Sequence, residues 1–352
     1  MDADARAFFE QVLETPSPSG YESPLQQIVR GYAQQFADEV RTDVHGNVIA
    51  VRNAGASRRV MLAGHCDQIG LYVQYVDTEG FVYVQALGGW DTQVLLGQRM
   101  TVWSRQGPVT GVIARKAIHL LTEDEKKQVP KLKDMWLDIG CKSREEAEGL
   151  VRVGDPITLE LVARELRNGL MASPAMDDKC GMWVVLEALR RIDAGKLQWA
   201  VYAVSTVQEE VGLRGAKTSA YGIDPEVGIA VDVTHATDSP TMDKKQDGDV
   251  ALGRGPVVYR GPNMNPKLVE RLIEAAGTHQ IPFQLAASGR PPGTDANVIQ
   301  LSRAGVATGL VSIPNRYMHS PVEVISLEDI DRAADLLART IEDLPADFDF
   351  TP

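Results

Sequence analysis

The chain is poor in cysteine, aromatic residues and positive charge, and each shortage narrows what it can be. Three cysteines in 352 residues (Cys66, Cys141, Cys180), odd in number and without C-x-x-C spacing, do not make a disulfide framework. They fit reduced thiols in the cytoplasm. Lys plus Arg number 36 against 48 Asp plus Glu, a net charge of −12, which works against nucleic-acid or anionic-membrane partners. No apolar run approaches the roughly 20 residues that span a bilayer. The opening, Met1 to Arg6, has neither the basic end nor the apolar stretch of an export signal. Internal repeats, low-complexity tracts and linkers are also missing. What remains is an ordinary globular composition, long enough for one large domain plus a smaller one.

Helical and strand patterns divide the chain by texture. Helices are expected from Asp4 to Glu14 and from Glu22 to about Phe36, followed by a hairpin of 38–42 and 48–52 through His45-Gly46-Asn47. The unbroken apolar run Val60-Met61-Leu62-Ala63-Gly64 suits a strand buried on both faces. After Gly70 the pattern becomes short alternating strands (71–76, 81–85, 99–104, 109–114 and 156–162), with charged helices expected at 123–131 and 143–150. From Lys179 longer elements return: helices at 180–194, 266–279 and 327–341, and buried strands at 198–207, 227–233 and 305–313. Strands alternating with helices imply an α/β domain, its sheet mostly parallel and covered by helices on both faces. The simplest division is residues 1–68 with 166–352, interrupted by a β-rich module over 69–165.

The residues that follow each buried strand carry the chemistry. His65-Cys66-Asp67, Gln208-Glu209-Glu210, Asp232 and the segment ending in His319 all stand where parallel α/β sheets line a ligand crevice. Asp177-Asp178, before the helix at 180, adds further carboxylates. Singly, each has a bland reading: a structural histidine, a solvated Glu-Glu turn, a helix cap at Asp177. Together, carboxylates converging on one crevice repel unless a cation neutralises them. Two histidines with several carboxylates are the donor set of Zn, Co or Mn. Six or more candidates exceed the three ligands of a single catalytic zinc and suit a pair bridged by a carboxylate, which acidifies a water between the ions. A further carboxylate must then carry the proton, so Glu209 and Glu210 would divide these tasks. Asp67, two residues beyond His65 on an extended chain, would hold the His65 ring.

Five strings place these residues in a known pattern. Ala63-Gly64-His65-Cys66-Asp67-Gln68-Ile69-Gly70, Ala175-Met176-Asp177-Asp178-Lys179-Cys180-Gly181 and Gln208-Glu209-Glu210-Val211-Gly212 are three. The others are Gly293-Thr294-Asp295-Ala296 and Arg316-Tyr317-Met318-His319-Ser320-Pro321-Val322-Glu323. Over nearly the whole chain and in the same order, they resemble the tetrahedral (TET-type) aminopeptidases, which include glutamyl and deblocking aminopeptidases. The resemblance implies that His65, Asp177 and Asp232 hold one metal. Asp177, Glu210 and His319 would hold the second, with Asp177 bridging. It casts Glu209 as general acid/base and Asp67 as the group that orients His65. It further implies a PDZ-like fold for the inserted β domain, assembly through it into dodecamers built from dimers, and release of single residues from the amino ends of short peptides. Gln68 and Lys179 depart from the Glu and Arg that the family often carries, and neither is an assigned ligand.

Other residues and readings are weighed beside this one. Cys66 and Cys180 read as small buried hydrophobes. His45, His119, His235 and His279 read as structural or solvated, with His235 near enough to Asp232 to support it. Gly293, Thr294 and Asp295 are candidates for lining the substrate pocket, or a plain turn. A metal-independent glycosidase needs only two carboxylates; it leaves His65 and His319 unexplained, and aromatics at 6% are sparse for sugar platforms. A deacylase of N-acyl amino acids on the same two-metal site is a closer alternative. A non-catalytic peptide-binding scaffold would be supported by loss of Glu209 or a ligand, and all the expected positions are filled.

Overall fold

A computed structural model describes residues 1–352. Its main sheet has eight strands in the order Glu39–Thr42, Val48–Arg52, Ala200–Thr206, Arg59–His65, Val227–His235, Ala307–Asn315, Val257–Arg260 and Gln284–Ala287. The four central strands, 200–206 to 307–315 in that order, run parallel. The hairpin strands at one side and 257–260 at the other add antiparallel pairings, so the sheet is mixed where a mostly parallel one was expected. Only 39–42 with 48–52 is a hairpin closed by a short turn; 48–52 and 257–260 run antiparallel to neighbours distant along the chain, a direction that no local pattern specifies.

Helices cover both faces. Met176–Arg191 packs against Arg59–His65 at Gly64, where a Cβ would lie 2.6 Å from the carbonyl carbon of Gly181. On the opposite face Ala296–Ile299 packs over Gly228, whose Cβ would meet Ile299 at 2.4 Å. The Gly64–Gly181 contact has a functional consequence. It lets the start of a helix approach the last turn of a strand closely, bringing Asp177 and Asp178 beside His65. One core cluster of 66 buried residues fills the space between sheet and helices. No helix is long and apolar enough to cross a membrane.

Between Arg59–His65 and residue 160 the chain builds a separate closed barrel. Its strands, in barrel order, are Gly70–Val76, Val82–Leu87, Trp136–Asp138, Gly107–Ala114, Arg99–Ser104 and Pro156–Leu159. It has its own cluster of 15 buried residues, among them Leu71, Val102, Ile113 and Ile157. The two charged helices are shorter than their patterns predict, Glu123–Lys126 and Arg144–Glu148. Capping by Thr122 and Ser143 starts each one, but they bury at most Ala147, too little apolar surface to sustain further turns. A small sheet of Arg164–Glu165, Leu170–Ser173 and Glu323–Ser326 was not anticipated. It fixes residue 323 opposite Ser173, next to the Asp177 segment.

Candidate metal centre

His65 ends its strand fully inside the protein, and its backbone N–H donates to Asp178 Oδ2 at 3.2 Å. The ring is oriented through Nδ1, which lies 3.0 Å from the backbone carbonyl of Asp67 and 3.5 Å from that residue's carboxylate. The Asp67 carboxylate is bound more closely elsewhere. It accepts from Ser19 Oγ at 2.6 Å, Glu209 N at 2.9 Å and Glu210 N at 3.2 Å. Asp67 therefore holds the ring chiefly with its main chain and the Glu209-Glu210 turn with its side chain. That turn starts at Gln208, which has φ +55° and whose N–H donates to Glu22.

His319 is positioned in the same manner by a different part of the chain. Its Nδ1 lies 2.8 Å from the carbonyl of Gly89, in the loop that leaves the barrel after Val82–Leu87. With both Nδ1 atoms donating to carbonyls, both Nε2 atoms are free to bind a metal. They converge on one carboxylate: Asp177 Oδ1 is 3.1 Å from His65 Nε2, and Oδ2 is 3.2 Å from His319 Nε2. Glu209 Oε2 lies 3.8 Å from His65 Nε2, and Glu210 Oε1 lies 3.5 Å from His319 Nε2. Two donor groups result: His65, Glu209 and Asp232, and Asp177, Glu210 and His319.

Electrostatics mark this cluster as built for cations. Burial pushes the Glu209 carboxyl up to about 10, with Asp232, Asp295 and Glu210 adding to the rise against the pull of His65. Burial likewise raises Glu210 and Asp232. At Asp177 burial is outweighed by the hydrogen bonds to His319 and His65, which hold it below the usual carboxylate range. His319 rises to about 11 because Asp177 and Glu210 favour its charged form. Carboxylates buried this close together repel one another unless a cation neutralises them. Two further observations fit a divalent pair. Ligands around a tetrahedral zinc lie roughly 3.3 Å apart, given Zn–N and Zn–O distances of about 2 Å, near the 3.1–3.8 Å separations here. Glu210 Oε1 is buried without any hydrogen-bond partner.

A residue at the end of the His319 string, with no role expected for it, proves central. Glu323 is buried, and its Oε2 accepts from Asp177 N at 2.8 Å and from Asn315 Nδ2 at 3.3 Å. Its Oε1 accepts from His319 N at 2.9 Å. One carboxylate thus ties together two segments 142 residues apart, and burial raises it to about 8. Asp178 acts similarly on the strand side, accepting from His65 N and Gly181 N. Proximity to His319 in the motif was the only sequence signal for Glu323, and none distinguishes a ligand from a support.

The cluster opens into a cavity of about 360 Å³. Gly293 and Thr294 line it, while Asp295 lies buried beneath, accepting from Thr206 Oγ1 at 2.6 Å. Burial raises Asp295 to about 6. His235 lines the cavity, whereas His279 pairs with Asp343 at 2.7 Å on the surface. His119 is exposed, and His45 lies on the hairpin turn beside a different pocket. Gln68 accepts from Ser17 N, and Lys179 Nζ donates to the Thr15 carbonyl at 2.7 Å. Neither touches the two donor groups. Cys66 and Cys180 are free thiols in the core.

Residues 46–336 match the family of M42 glutamyl aminopeptidases. A lysyl aminopeptidase of Pyrococcus furiosus is 40% identical, covering 97% of this chain and 98% of its own length. Among solved structures, a TET aminopeptidase from a marine sediment archaeon of the Thaumarchaeota superposes with a TM-score of 0.92 at 38% identity, over 97% and 96% of the two chains. The TET1 peptidase of Pyrococcus horikoshii, described as assembling into a tetrahedron or a large octahedral shell, superposes with a TM-score of 0.86 at 29% identity, over 97% and 100%.

Proposed function

The chain belongs to the M42 glutamyl aminopeptidase family and is an aminopeptidase, and we propose that it works with two metal ions bridged by Asp177. The observation that carries this reading is the pair of Asp177 oxygens, each about 3 Å from the Nε2 of a different histidine. His65, Asp177 and Asp232 would hold one ion, and Asp177, Glu210 and His319 the other, with Zn or Co best suited to the donors. When bound, the ions supply Lewis-acid polarisation of the scissile carbonyl and an acidified water.

The protein's own contribution is proton handling and alignment. Glu209 is the general acid/base: Asp67 fixes its backbone, and its carboxylate lines the cavity beside His65. Glu209 takes a proton from water and returns it to the leaving amine. Asp67 and Gly89 present the two rings through their Nδ1 atoms, so that neither histidine spends catalytic cycles reorienting. Residues 69–165 form an inserted, PDZ-like domain, supported by their separate barrel core, and through it the chain assembles with copies of itself into dodecamers built from dimers. The likeness to a TET1 peptidase that forms closed shells supports this. Three free thiols support a reducing, cytoplasmic setting.

The test is amino acid release from short peptides with free or acetylated amino ends, before and after chelation and after Zn or Co is restored. Chelator-sensitive release from free-amine peptides alone is expected. Cleavage only of the acyl group would replace this reading with a deacylase. Glu209→Gln should keep both ions and lose about 10²–10⁴-fold in kcat; wild-type turnover would remove Glu209 from the mechanism.

A further inference from the structure

The Glu209-Glu210 turn is held by side chains from three distant segments. Four consecutive backbone N–H groups, from Val207 to Glu210, donate to them. Asn47 accepts the first at 3.1 Å, Asp67 accepts the last two, and Glu22 accepts that of Gln208 at 3.2 Å. Glu22 stands at the N-cap of the helix Ser23–Ala33, yet its side chain makes no capping bond there. The carboxylate reaches instead to a residue 186 positions away. It is buried, and no basic side chain pairs with it. One oxygen, Oε1, accepts from both Gly20 N, at 2.8 Å, and Gln208 N. Burying a carboxylate without a cation is unfavourable. Burial pushes Glu22 up to about 7 against the pull of these N–H groups, with the charge of Asp67 adding to the rise. Packing alone does not account for an acid at this position.

What Glu22 holds is a conformation that glutamine does not favour. Gln208 has φ +55°, in the left-handed region that is unfavourable for residues with a Cβ. Without Glu22 its N–H loses its acceptor, and the backbone there is free to relax to negative φ. Glu209 follows directly, so rotation at Gln208 changes the direction in which its carboxylate leaves the chain. Glu210 is anchored separately. Asp67 accepts its N–H at 3.2 Å and is itself fixed by Ser19 Oγ at 2.6 Å, neither bond involving Glu22. The loss of Glu22 therefore falls on the proton carrier and spares the ligand beside it.

We propose that Glu22 is a positioning residue for the reaction: by accepting the Gln208 N–H it keeps the left-handed turn that aims the Glu209 carboxylate into the cavity beside His65. This rests on the reading of Glu209 as general acid/base given above. The experiment measures kcat, KM and metal content of the metal-loaded enzyme with a free-amine peptide. Glu22→Leu should lower kcat about 30-fold, with KM within about threefold of wild type and both ions retained. Glu22→Gln keeps an oxygen that can accept both N–H groups and should stay within about fivefold of wild-type kcat. Adding Gln208→Gly to Glu22→Leu should raise kcat again by about tenfold, because glycine takes positive φ without strain and needs no acceptor to hold it there. If Glu22→Leu does not fold, Glu22→Asp, one methylene short of Gln208, carries the same expectation. Loss of the ions, an effect on KM with kcat intact, equal damage by Gln and Leu, or no recovery with glycine would each overturn the role of Glu22. Wild-type turnover in Glu22→Leu would overturn that role alone and leave the aminopeptidase site intact. A wild-type enzyme that releases nothing from free-amine peptides would overturn the site reading, and the proposal with it.

Discussion

Replacing Glu323 by glutamine tests whether a residue that touches no substrate sets the geometry of the centre. In the wild type, its two carboxylate oxygens accept from different backbone groups, Asp177 N at 2.8 Å and His319 N at 2.9 Å. Glutamine offers one oxygen and one NH₂, so only one of these N–H groups can still be satisfied, and the other faces a donor. Losing one charge-assisted hydrogen bond and leaving a partly buried N–H without an acceptor costs about 2–3 kcal/mol. The metal-free variant can relieve the mismatch by shifting the half-buried turn at Met318-His319, where His319 already sits at φ +59°. Metal binding must reverse that shift. The cost therefore falls on affinity for the ion held by Asp177 and His319, roughly 30- to 150-fold weaker. Competitive titration of Zn against a chromophoric chelator measures it, and the visible spectrum of the Co form reports the altered geometry. A Gln variant that holds both ions within threefold of wild-type affinity would refute the assignment of Glu323 as a positioning residue.

Three further outcomes follow from the same geometry. Asp177→Ala should lose both ions together by elemental analysis of the purified protein, and full occupancy of either would argue against bridging. Gly88→Ala should weaken the His319 ion by about 10-fold, because Gly88 has φ +77° and a Cβ would lie 2.5 Å from Ile69 Cγ2, displacing the Gly89 carbonyl from the ring; unchanged metal titration would show that this carbonyl does not orient the histidine. Asp329, far from the centre, is raised to about 6 mainly by burial, against the pull of Gly253 N and Gly255 N. A carboxyl raised on folding contributes its stability at low pH and loses it as pH rises through the folded value. The Tm advantage of wild type over Asp329→Asn should accordingly shrink between pH 4 and pH 6, and a constant difference would contradict the shift.

Much of the site was legible because its donors follow apolar strands that name their own ends. The run Val60 to Gly64 had to be buried, so His65 had to emerge at the carboxyl end of its strand, and the same logic applied to Asp232 after Val227–Val231. Thr206 and Glu209 show the limit of that logic. The strand ends at Thr206, and a turn with Gln208 at φ +55° then redirects the chain, so the aim of Glu209 depends on Asp67 accepting the N–H groups of Glu209 and Glu210 and on Glu22 accepting that of Gln208. The helix Arg214–Ile223 was missed because Gly215, Thr218, Ser219 and Gly222 give it poor intrinsic propensity, and packing on the sheet supplies what propensity does not.

The sequence by itself determined which residue types are present, which of them lie at the ends of buried strands, and therefore that a carboxylate-rich crevice with two histidines would form. These depend on hydrophobic periodicity and chain order, both written locally. Only the tertiary structure decided that both histidines turn Nε2 toward the same carboxylate. That arrangement requires a carbonyl from the barrel loop at Gly89, a carbonyl at Asp67 and a carboxylate at Glu323 to act at once. Asp67 and Glu323 are near their histidines along the chain, but Gly89 lies 230 residues from His319 and Glu323 lies 146 from Asp177, and no local pattern states what a side chain will meet when distant segments pack. The cavity wall around Tyr259 and Ser288 was invisible for the same reason: it is assembled from strands and loops that become neighbours only when the sheet is complete.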